Sequence, residues 1–342
     1  MIELNGRRLG LDSEMASDYE AFHDGAAMID MSDRGRMRFS GDGARNALNG
    51  VLTCDLAPLT IGQGAYGVAL TSKGKVVADV CVFANADSFF VECPVAAWPG
   101  WQQLVAKYIN PRLAPRIDET ETTGSLGLFG PHASRIAAGI AGVDQAVLES
   151  LAMYAHVDCA THDYIVNVAR IPDMGVDGYR LLTARASLES LRGLVAGAEA
   201  RAVGKPAIDC ARIEAGRPVW GIDMDDSTLP QEANLDALGA ISYTKGCYTG
   251  QETVARLHFR GHVNRRLMGL RVEGTAAPAH GAELTSVEGT ACGDVRSSIV
   301  SPRFGSVALA MVRREIDAGG QVLVRVDGSE ARAEVAALPF GT

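Results

Sequence analysis

One stretch of eight residues decides how this sequence is interpreted: Lys245-Gly246-Cys247-Tyr248-Thr249-Gly250-Gln251-Glu252. Thr249 and Glu252 have the spacing of a capping box, which predicts a helix that begins here and continues through Leu257. Cys247 would precede the helix N-terminus, where unpaired N–H groups favour an anion, and Lys245 adds a positive charge. Both effects favour a thiolate, so Cys247 is a candidate reactive or metal-ligating cysteine. The alternative is a small apolar residue that fills a tight corner.

The segment that follows is basic, although the chain as a whole is acidic. Residues 254–272 contain five arginines, two histidines and no acid, whereas the protein has a formal net charge of −9. Such a block predicts a docking surface for a small anion or an acidic partner. The alternative is a solvated strand face whose arginines pair with acids elsewhere. His258 and His262 lack further Cys or His at regular spacing, so a zinc site is not indicated.

Length and composition narrow the class of protein. A chain of 342 residues predicts two or three domains. The acidic balance argues against a general nucleic-acid binder, and no apolar run is long enough for a membrane span. The N-terminus does not resemble a signal peptide, so we expect a cytoplasmic protein. Seven scattered cysteines without a CxxC pair indicate free thiols in a reducing compartment.

The hydrophobic pattern predicts a mixed α+β chain without regular βαβ alternation. Strands are predicted at 65–71 and 75–83, joined by a hairpin turn, and at 164–171 and 179–183. From residue 266 onward, short strands and glycine turns predict a small all-β barrel or jelly roll. Gly62-Gln63-Gly64-Ala65-Tyr66-Gly67 matches a dinucleotide fingerprint literally. A strand follows it where a helix is required, so we reject that interpretation.

Several segments resemble one known superfamily. Residues 245–252 resemble the signature of the YgfZ-type folate-binding proteins, which support iron–sulfur cluster assembly and repair. The wider chain is similar to the parent superfamily, that of the glycine-cleavage T-protein (aminomethyltransferase). The segments that carry this second resemblance are Ile29-Asp30-Met31-Ser32, Phe129-Gly130-Pro131-His132-Ala133, Gly175-Val176-Asp177-Gly178-Tyr179, Arg212-Ile213-Glu214-Ala215-Gly216, Trp220-Gly221-Ile222-Asp223 and Ser301-Pro302.

The resemblance implies a ring of three domains around a folate-sized channel, with a C-terminal antiparallel β-barrel. Residues 1–50 with 122–132 and 210–255 would form a first folate-binding α+β domain. Residues 51–121 with 133–209 would form a second, and residues 256–342 the barrel. Tetrahydrofolate is the implied ligand, and the implied partners include an iron–sulfur carrier or client protein.

The resemblance also implies candidate ligand-binding residues. Arg212 and Trp220 match family positions near the folate, although a surface ion pair and a core aromatic explain them equally well. The anionic glutamyl tail of a folate would pair with cations, which the basic block after Cys247 could supply. The candidate folate-binding residues are Arg212, Trp220, Asp177, Tyr248, Gln251, Glu252 and Arg256.

Two departures from the T-protein pattern weaken the transferase interpretation. The T-protein hairpin is expected to carry a glutamate after Gly-Tyr that holds the pterin, and here that residue is Arg180. The usual pterin clamp is therefore absent unless Asp177 substitutes for it. The T-protein also has an Asp-Asp pair at the end of its second strand. Here the pair is Ala78-Asp79, and Asp79 alone could simply face solvent.

Two functional hypotheses follow. In the first, the protein is an accessory factor without turnover, in which the Cys247 thiolate contacts an iron–sulfur cluster shared with a partner. One cysteine cannot hold a cluster alone, so the partner would supply the remaining thiolates. In the second, the protein is a folate-dependent one-carbon transferase with Asp79 as electrostatic catalyst. A folate-fold scaffold that binds neither ligand is a third possibility.

Overall fold

The computed structural model describes residues 2–4, 7–9, 13–160 and 165–341. The predicted strand at 164–171 therefore begins at a residue outside the described ranges. Two short 3-10 helices lie at Val95–Ala97 and Arg185–Ser187. The other elements, in chain order, are β1 (Ile2–Leu4), β2 (Arg7–Leu9), α1 (Ser13–Asp24), β3 (Ala27–Asp30), β4 (Arg34–Ser40), α2 (Ala44–Asn49), β5 (Gly64–Leu70), β6 (Val76–Ala84), β7 (Ser88–Pro94), α3 (Trp98–Tyr108), β8 (Arg116–Asp118), β9 (Thr123–Phe129), α4 (Ala133–Ala141), α5 (Gln145–Glu149), β10 (His156–Ala160), β11 (Ile165–Arg170), β12 (Gly178–Ala184), α6 (Leu188–Gly197), β13 (Arg201–Ala202), α7 (Lys205–Glu214), α8 (Gln251–Arg260), β14 (Arg265–Val272), β15 (Glu283–Ser286), β16 (Ala291–Ser301), β17 (Gly305–Arg313), β18 (Gln321–Val326) and β19 (Ser329–Ala336).

These strands form two open sheets, a closed barrel and a small N-terminal ribbon. One open sheet has the order β5-β6-β7-β4-β8, and the other has the order β10-β11-β12-β9-β3-β13. The barrel closes in the order β14-β17-β16-β15-β18-β19, and all its pairings are antiparallel. The fold class predicted from the sequence, α+β with a C-terminal antiparallel barrel, is confirmed.

The predicted domain boundaries differ from this grouping of strands. Strand β4 was assigned to the first domain, but it pairs with β7 and β8 of the other sheet. Residues 133–209 were grouped with residues 51–121, yet β12 pairs with β9 and β13 pairs with β3. The difference arises because pairing between strands far apart in sequence is decided by tertiary packing, which a local pattern does not contain. The domain boundaries themselves stay a prediction.

Strand β6 shows how side-chain alternation creates both a core and a site. Its alternate residues Ala78, Val80, Val82 and Ala84 pack in the same apolar cluster as Trp101 of α3. The intervening side chains Cys81 and Phe83 belong to the cluster between the two open sheets. Because side chains alternate along a strand, Asp79 is directed to the same side as Cys81. A polar group therefore lies between two sheets whose facing surfaces are mostly apolar.

Helix α7 joins the open sheets to the barrel. Glu214 near its end accepts hydrogen bonds from Tyr19 of α1 (Oη to Oε2, 2.9 Å) and from Ser301 of β16 (Oγ to Oε1, 2.5 Å). Ile213 packs with the apolar outer face of the barrel, alongside Leu267 and Leu309. The barrel is thus held by buried polar and apolar contacts to the same helix.

Candidate functional site

A cavity of about 600 Å³ is lined by residues of both open sheets, of α7 and of the segment after α7. This volume is in the range of small-molecule binding sites. Its wall is mixed, with aromatic, aliphatic, acidic and basic side chains. The polar and aromatic residues that line it are Asp30, Asp33, Arg34, Tyr66, Asp79, Asp173, Lys205, Asp209, Arg212, Arg217 and Trp220.

Asp79 is buried in this wall and does not face solvent. Its side chain is 8% exposed, and its Oδ2 accepts a hydrogen bond of 3.1 Å from the Tyr66 hydroxyl. Its Oδ1 is buried and has no hydrogen-bond partner among the described residues. Burial raises the pKa of the Asp79 carboxyl, and the nearby Arg34 opposes that rise. The interpretation of Asp79 as a solvent-facing residue is therefore wrong. Side chains alternate along β6, and the position of Asp79 directs its carboxyl inward.

Arg180 lies behind the cavity wall, in a buried cluster of charges. Its Nη1 is 2.7 Å from Glu92 Oε2, and its guanidinium lies 4.1 Å from the centre of the Phe83 ring. Arg36 and Arg34 also approach Glu92, at 3.8 Å and 3.4 Å. Three guanidinium groups thus share one carboxylate, and these cations hold the Glu92 pKa below its usual value despite burial.

Asp177 does not line the cavity, so the suggestion that it substitutes for the missing pterin carboxylate is not supported. It is exposed and forms an ion pair of 2.7 Å with Arg170 on β11. Asp173, four residues earlier in the same turn, does line the cavity. Asp173 was not among the predicted site residues; its signal in the sequence is an acid directly after Pro172 in the turn between two predicted strands.

Arg212 and Trp220 both line the cavity, as predicted, but Arg212 is fully engaged with protein. Its Nε, Nη1 and Nη2 donate to Asp209 (2.7 Å), Asp223 (2.9 Å) and Ser297 (2.9 Å) respectively. Trp220 is half-buried, and its indole N–H has no hydrogen-bond partner within the part of the chain that the structure describes. Arg212 therefore supports the wall and joins it to the barrel, whereas Trp220 presents an aromatic surface to a ligand.

Lys245 does not stand beside the thiol as a free positive charge. Its Nζ is buried and donates to Asn49 O (2.8 Å), Asn49 Oδ1 (2.8 Å), Leu52 O (2.9 Å) and Cys54 O (2.6 Å). Burial lowers the pKa of Lys245. Its role is to anchor the loop on the segment after α2, and the predicted activation of Cys247 by Lys245 is corrected accordingly.

The predicted helix after the motif is present, but its cap differs. Helix α8 begins at Gln251, and its N-cap is Gly250 in the left-handed conformation (φ +84°) without a side-chain cap. The Thr249 hydroxyl donates instead to Gly50 O at 3.5 Å. The capping-box prediction is wrong because the chain must pass close to the turn at residues 71–74, where a Cβ on Gly250 would lie 2.6 Å from Thr71 O.

The motif residues predicted to contact folate do not line the cavity. Tyr248 is buried in an apolar cluster next to β5 and β6, and Gln251 is half-buried at the start of α8. Glu252 and Arg256 are exposed on α8. The structure therefore separates the cysteine motif from the cavity, although both were assigned to one folate site.

Cys247 differs from every other cysteine in the described chain. It is exposed, whereas the other six are buried. Burial raises the pKa of each of those six thiols, which are Cys54, Cys81, Cys93, Cys159, Cys210 and Cys292. Within the described ranges, no group of three or more His, Cys, Asp or Glu side chains could hold a metal ion. Cys247 is thus accessible to reagents or partners but does not belong to a complete metal site.

The basic block is partly neutralised by neighbouring acids. Arg265 pairs with Glu232 at 3.1 Å, and Arg266 lies 3.6 Å from Asp236. These pairs agree with the alternative of arginines that pair with acids elsewhere. The exposed face of α8 keeps Arg256 and Arg260, for which the described part of the chain contains no acid within ion-pair distance.

Comparison with known families decides the membership of the chain. Residues 8–242 match the GCVT N-terminal domain, and residues 265–341 match the glycine cleavage T-protein C-terminal barrel domain. The chain belongs to the glycine cleavage T-protein family. In this family member, the T-protein barrel corresponds to the closed sheet of β14–β19, and the N-terminal match spans both open sheets.

Relatives of this T-protein family member are named aminomethyltransferase. The one from Rubrobacter xylanophilus is 29% identical over 325 residues, which cover 95% of this chain and 85% of that protein. The one from Saccharopolyspora erythraea is 28% identical and covers 95% and 89%. The solved glycine cleavage system aminomethyltransferase T from Bartonella henselae superposes with a TM-score of 0.83 over 98% of this chain and 92% of that chain. At 22% identity, this last likeness establishes the fold.

Among the described residues, no helix is long and apolar enough to cross a membrane.

Proposed function

We propose that this protein is a tetrahydrofolate-binding accessory protein of the YgfZ type, which supports iron–sulfur cluster assembly or repair with a thiolate at Cys247. The observation that carries the proposal is the contrast between Cys247 and the other cysteines. It is exposed in a loop that the buried Lys245 anchors, whereas the other six described cysteines are buried. An accessible thiol, in a loop whose Lys245 and Tyr248 are buried, is suited to contact with a soft metal centre.

The cavity suits a reduced folate. It offers the half-buried indole of Trp220 for contact with a flat ring and carboxylates for ring N–H donors. Lys205 at its exposed edge could meet an anionic tail. Folate is also the ligand that the sequence resemblance implies.

The chain alone does not fit a resident iron–sulfur cluster. Such clusters normally need four protein ligands, and the described residues contain no group of three. The proposal therefore requires a carrier or client protein that supplies the remaining thiolates. The exposed arginines of α8 favour a partner with an acidic surface.

The test is rescue of a [4Fe–4S] enzyme in cells that lack this protein and are under oxidative stress. Wild type should restore enzyme activity, and Cys247→Ser should not. Gly246→Ala is the matched control in the same loop, because a Cβ there meets nothing within 4 Å. Equal rescue by wild type and Cys247→Ser would refute the role of the thiol.

A second candidate function is a tetrahydrofolate-dependent aminomethyl or methyl transferase, and the position of Asp79 favours it. A bound tetrahydrofolate would supply the one-carbon acceptor. The chain's own contribution would be the Asp79 carboxylate, fixed by Tyr66 and facing the cavity, where it stabilises positive charge on a reacting amine. This function predicts methylene- or methyl-tetrahydrofolate as product, a large loss in Asp79→Asn and little effect of Cys247→Ser. Failure of all amine and thioether substrates to yield a one-carbon folate would eliminate it.

A further inference from the structure

Asp173 is a carboxylate in the cavity wall that the protein itself leaves unused. It lies in the turn between β11 and β12 and is partly exposed to the cavity. Among the described residues, its oxygens accept no hydrogen bond and have no cationic nitrogen within 4 Å. Its full acceptor capacity is therefore available to a ligand.

Arg34 lines the same cavity and also keeps unused hydrogen-bonding groups. Its side chain is 17% exposed, and its ion pair runs through Nε to Glu92 at 3.4 Å. Glu92 is shared with two other guanidinium groups, as described above. Neither terminal nitrogen of Arg34 donates to an acceptor in the described part of the chain. Arg34 therefore offers N–H donors in the same cavity into which Asp173 offers its acceptors.

Other acids of the lining are less suited to hold a ring edge. Asp30 and Asp209 each form an ion pair with a basic side chain. Asp33 is exposed. Asp79 uses Oδ2 for Tyr66, and its Oδ1 is buried in the wall. Asp173 alone among these acids of the lining combines access to the cavity, partial burial and freedom from protein partners.

The polar edge of a pterin matches this pair of residues. It presents two adjacent donors, the 2-amino group and N3–H, and beside them one acceptor, the oxygen on C4. A carboxylate accepts from two adjacent donors, and a guanidinium donates to the neighbouring oxygen. We propose that Asp173 and Arg34 form the pterin clamp of this protein, replacing the glutamate whose position is occupied by Arg180. This inference rests on the proposed function, because it requires reduced folate in the cavity.

The surroundings of Asp173 are consistent with this role. Burial raises the pKa of Asp173, while Arg34 and Arg217 oppose the rise. Two ring N–H donors would stabilise the ionised carboxylate further, so ligand binding and ionisation of Asp173 favour each other. Arg180 stands where the T-protein pattern has an acid. The cavity still contains a carboxylate, because Asp173 in the preceding turn supplies one.

The experiment measures binding of 5-formyltetrahydrofolate, a stable reduced folate, to the full chain by calorimetry. Asp173→Asn should weaken binding about 10- to 100-fold, because an amide replaces an ionised acceptor of two hydrogen bonds. Arg34→Met should weaken it about 10-fold or more through loss of the donor to the C4 oxygen. Asp177→Asn is the matched control from the same turn, and its affinity should equal that of wild type.

A second ligand tests the contact by removing a donor from the ligand, so that each protein is compared with itself. An analogue with a methyl group in place of the 2-amino group removes one of the two donors. Wild type should bind it more weakly than the parent folate, and Asp173→Asn should show a much smaller difference between the two ligands. Equal affinity of Asp173→Asn and wild type for the parent folate, or equal discrimination by both, would overturn the clamp. No binding by wild type would overturn the proposed folate site itself.

Discussion

At the scale of single residues, the structure separates two groups of candidate site residues that the sequence placed together. Asp79, Asp173 and Arg34 belong to the cavity, whereas Cys247 belongs to an exposed loop outside its lining. Lys245, which the sequence placed beside the thiol, holds the loop to the oxygens of residues 49–54. The cavity residues and the exposed loop of Cys247 therefore require different experiments.

Native-state alkylation tests the accessibility of Cys247. Iodoacetamide should modify Cys247 rapidly in the folded protein and the six buried cysteines only after unfolding, because burial denies access and raises their pKa values. Peptide mass spectrometry at increasing times identifies the sites. Fast modification of Cys54 or Cys210 in the native protein would contradict this assignment.

Removing the Lys245 ammonium should destabilise the fold. Lys245→Met removes the ammonium donor from four oxygen acceptors of residues 49–54, of which the carbonyls of Leu52 and Cys54 accept in buried hydrogen bonds. The expected loss is about 2–4 kcal/mol in the free energy of unfolding. Lys205→Met is the control, since its exposed pair with Asp209 contributes about 0–1 kcal/mol. Urea denaturation measures both, and similar small losses would show that the buried contacts contribute little.

Folate affinity should depend on pH through Asp173. The free carboxyl has a raised pKa and binds ring donors in its ionised form, so affinity should fall as the pH drops through that pKa. The charged groups around it are Arg34, Arg217, Glu92 and Arg180. Calorimetry from about pH 8 to about pH 5 should show a steeper decline for wild type than for Asp173→Asn. Parallel profiles would exclude Asp173 as the titrating group.

At the scale of elements, the start of α8 depends on one backbone conformation. Gly250 has φ +84°, and its neighbours leave no room for a Cβ. The helix itself could be predicted from its pattern, but the cap could not. The turn at residues 71–74 excludes a side-chain cap, and that turn is remote in the sequence.

Gly250→Ala should therefore destabilise the protein by about 1–3 kcal/mol, from backbone strain and the contact with Thr71 O. Gly246→Ala, four residues earlier, has open space and should change the free energy of unfolding by less than about 0.5 kcal/mol. Thermal and urea unfolding of both variants give the comparison. If Gly250→Ala had the same free energy of unfolding as wild type, the loop would have relaxed to accommodate the Cβ.

At the scale of the whole molecule, hydrogen bonds of α7 connect the cavity wall to the barrel. Arg212 lines the cavity and also donates to Ser297 on β16 and to Asp223, which is fully buried. The same helix carries Glu214, which accepts from Ser301 of the barrel. Movement of the barrel relative to α7 would therefore disturb the cavity.

Arg212→Met should cost about 3–5 kcal/mol of stability, because it leaves the buried Asp223 without its cation. The double variant Arg212→Met with Asp223→Leu should recover part of this loss, since it also removes the uncompensated charge. Urea denaturation of the single and double variants measures the coupling. No recovery in the double variant would show that lost packing dominates.

The sequence by itself determined the α+β class, the C-terminal barrel, the helix after the cysteine motif and the family. The class, the barrel and the helix follow from the local hydrophobic period, turn residues and motif spacing, which depend on neighbouring residues. The family was indicated by the resemblance of several segments to the glycine-cleavage T-protein. Tertiary structure decided which strands share a sheet, that Asp79 and Asp173 enter one cavity while Asp177 pairs outside it, and that Lys245 is buried. Those outcomes depend on contacts between residues far apart in the chain, such as Arg180 with Glu92 and Lys245 with Leu52. The local sequence does not predict such contacts. They depend on how the sheets pack and on which face of its strand each side chain occupies.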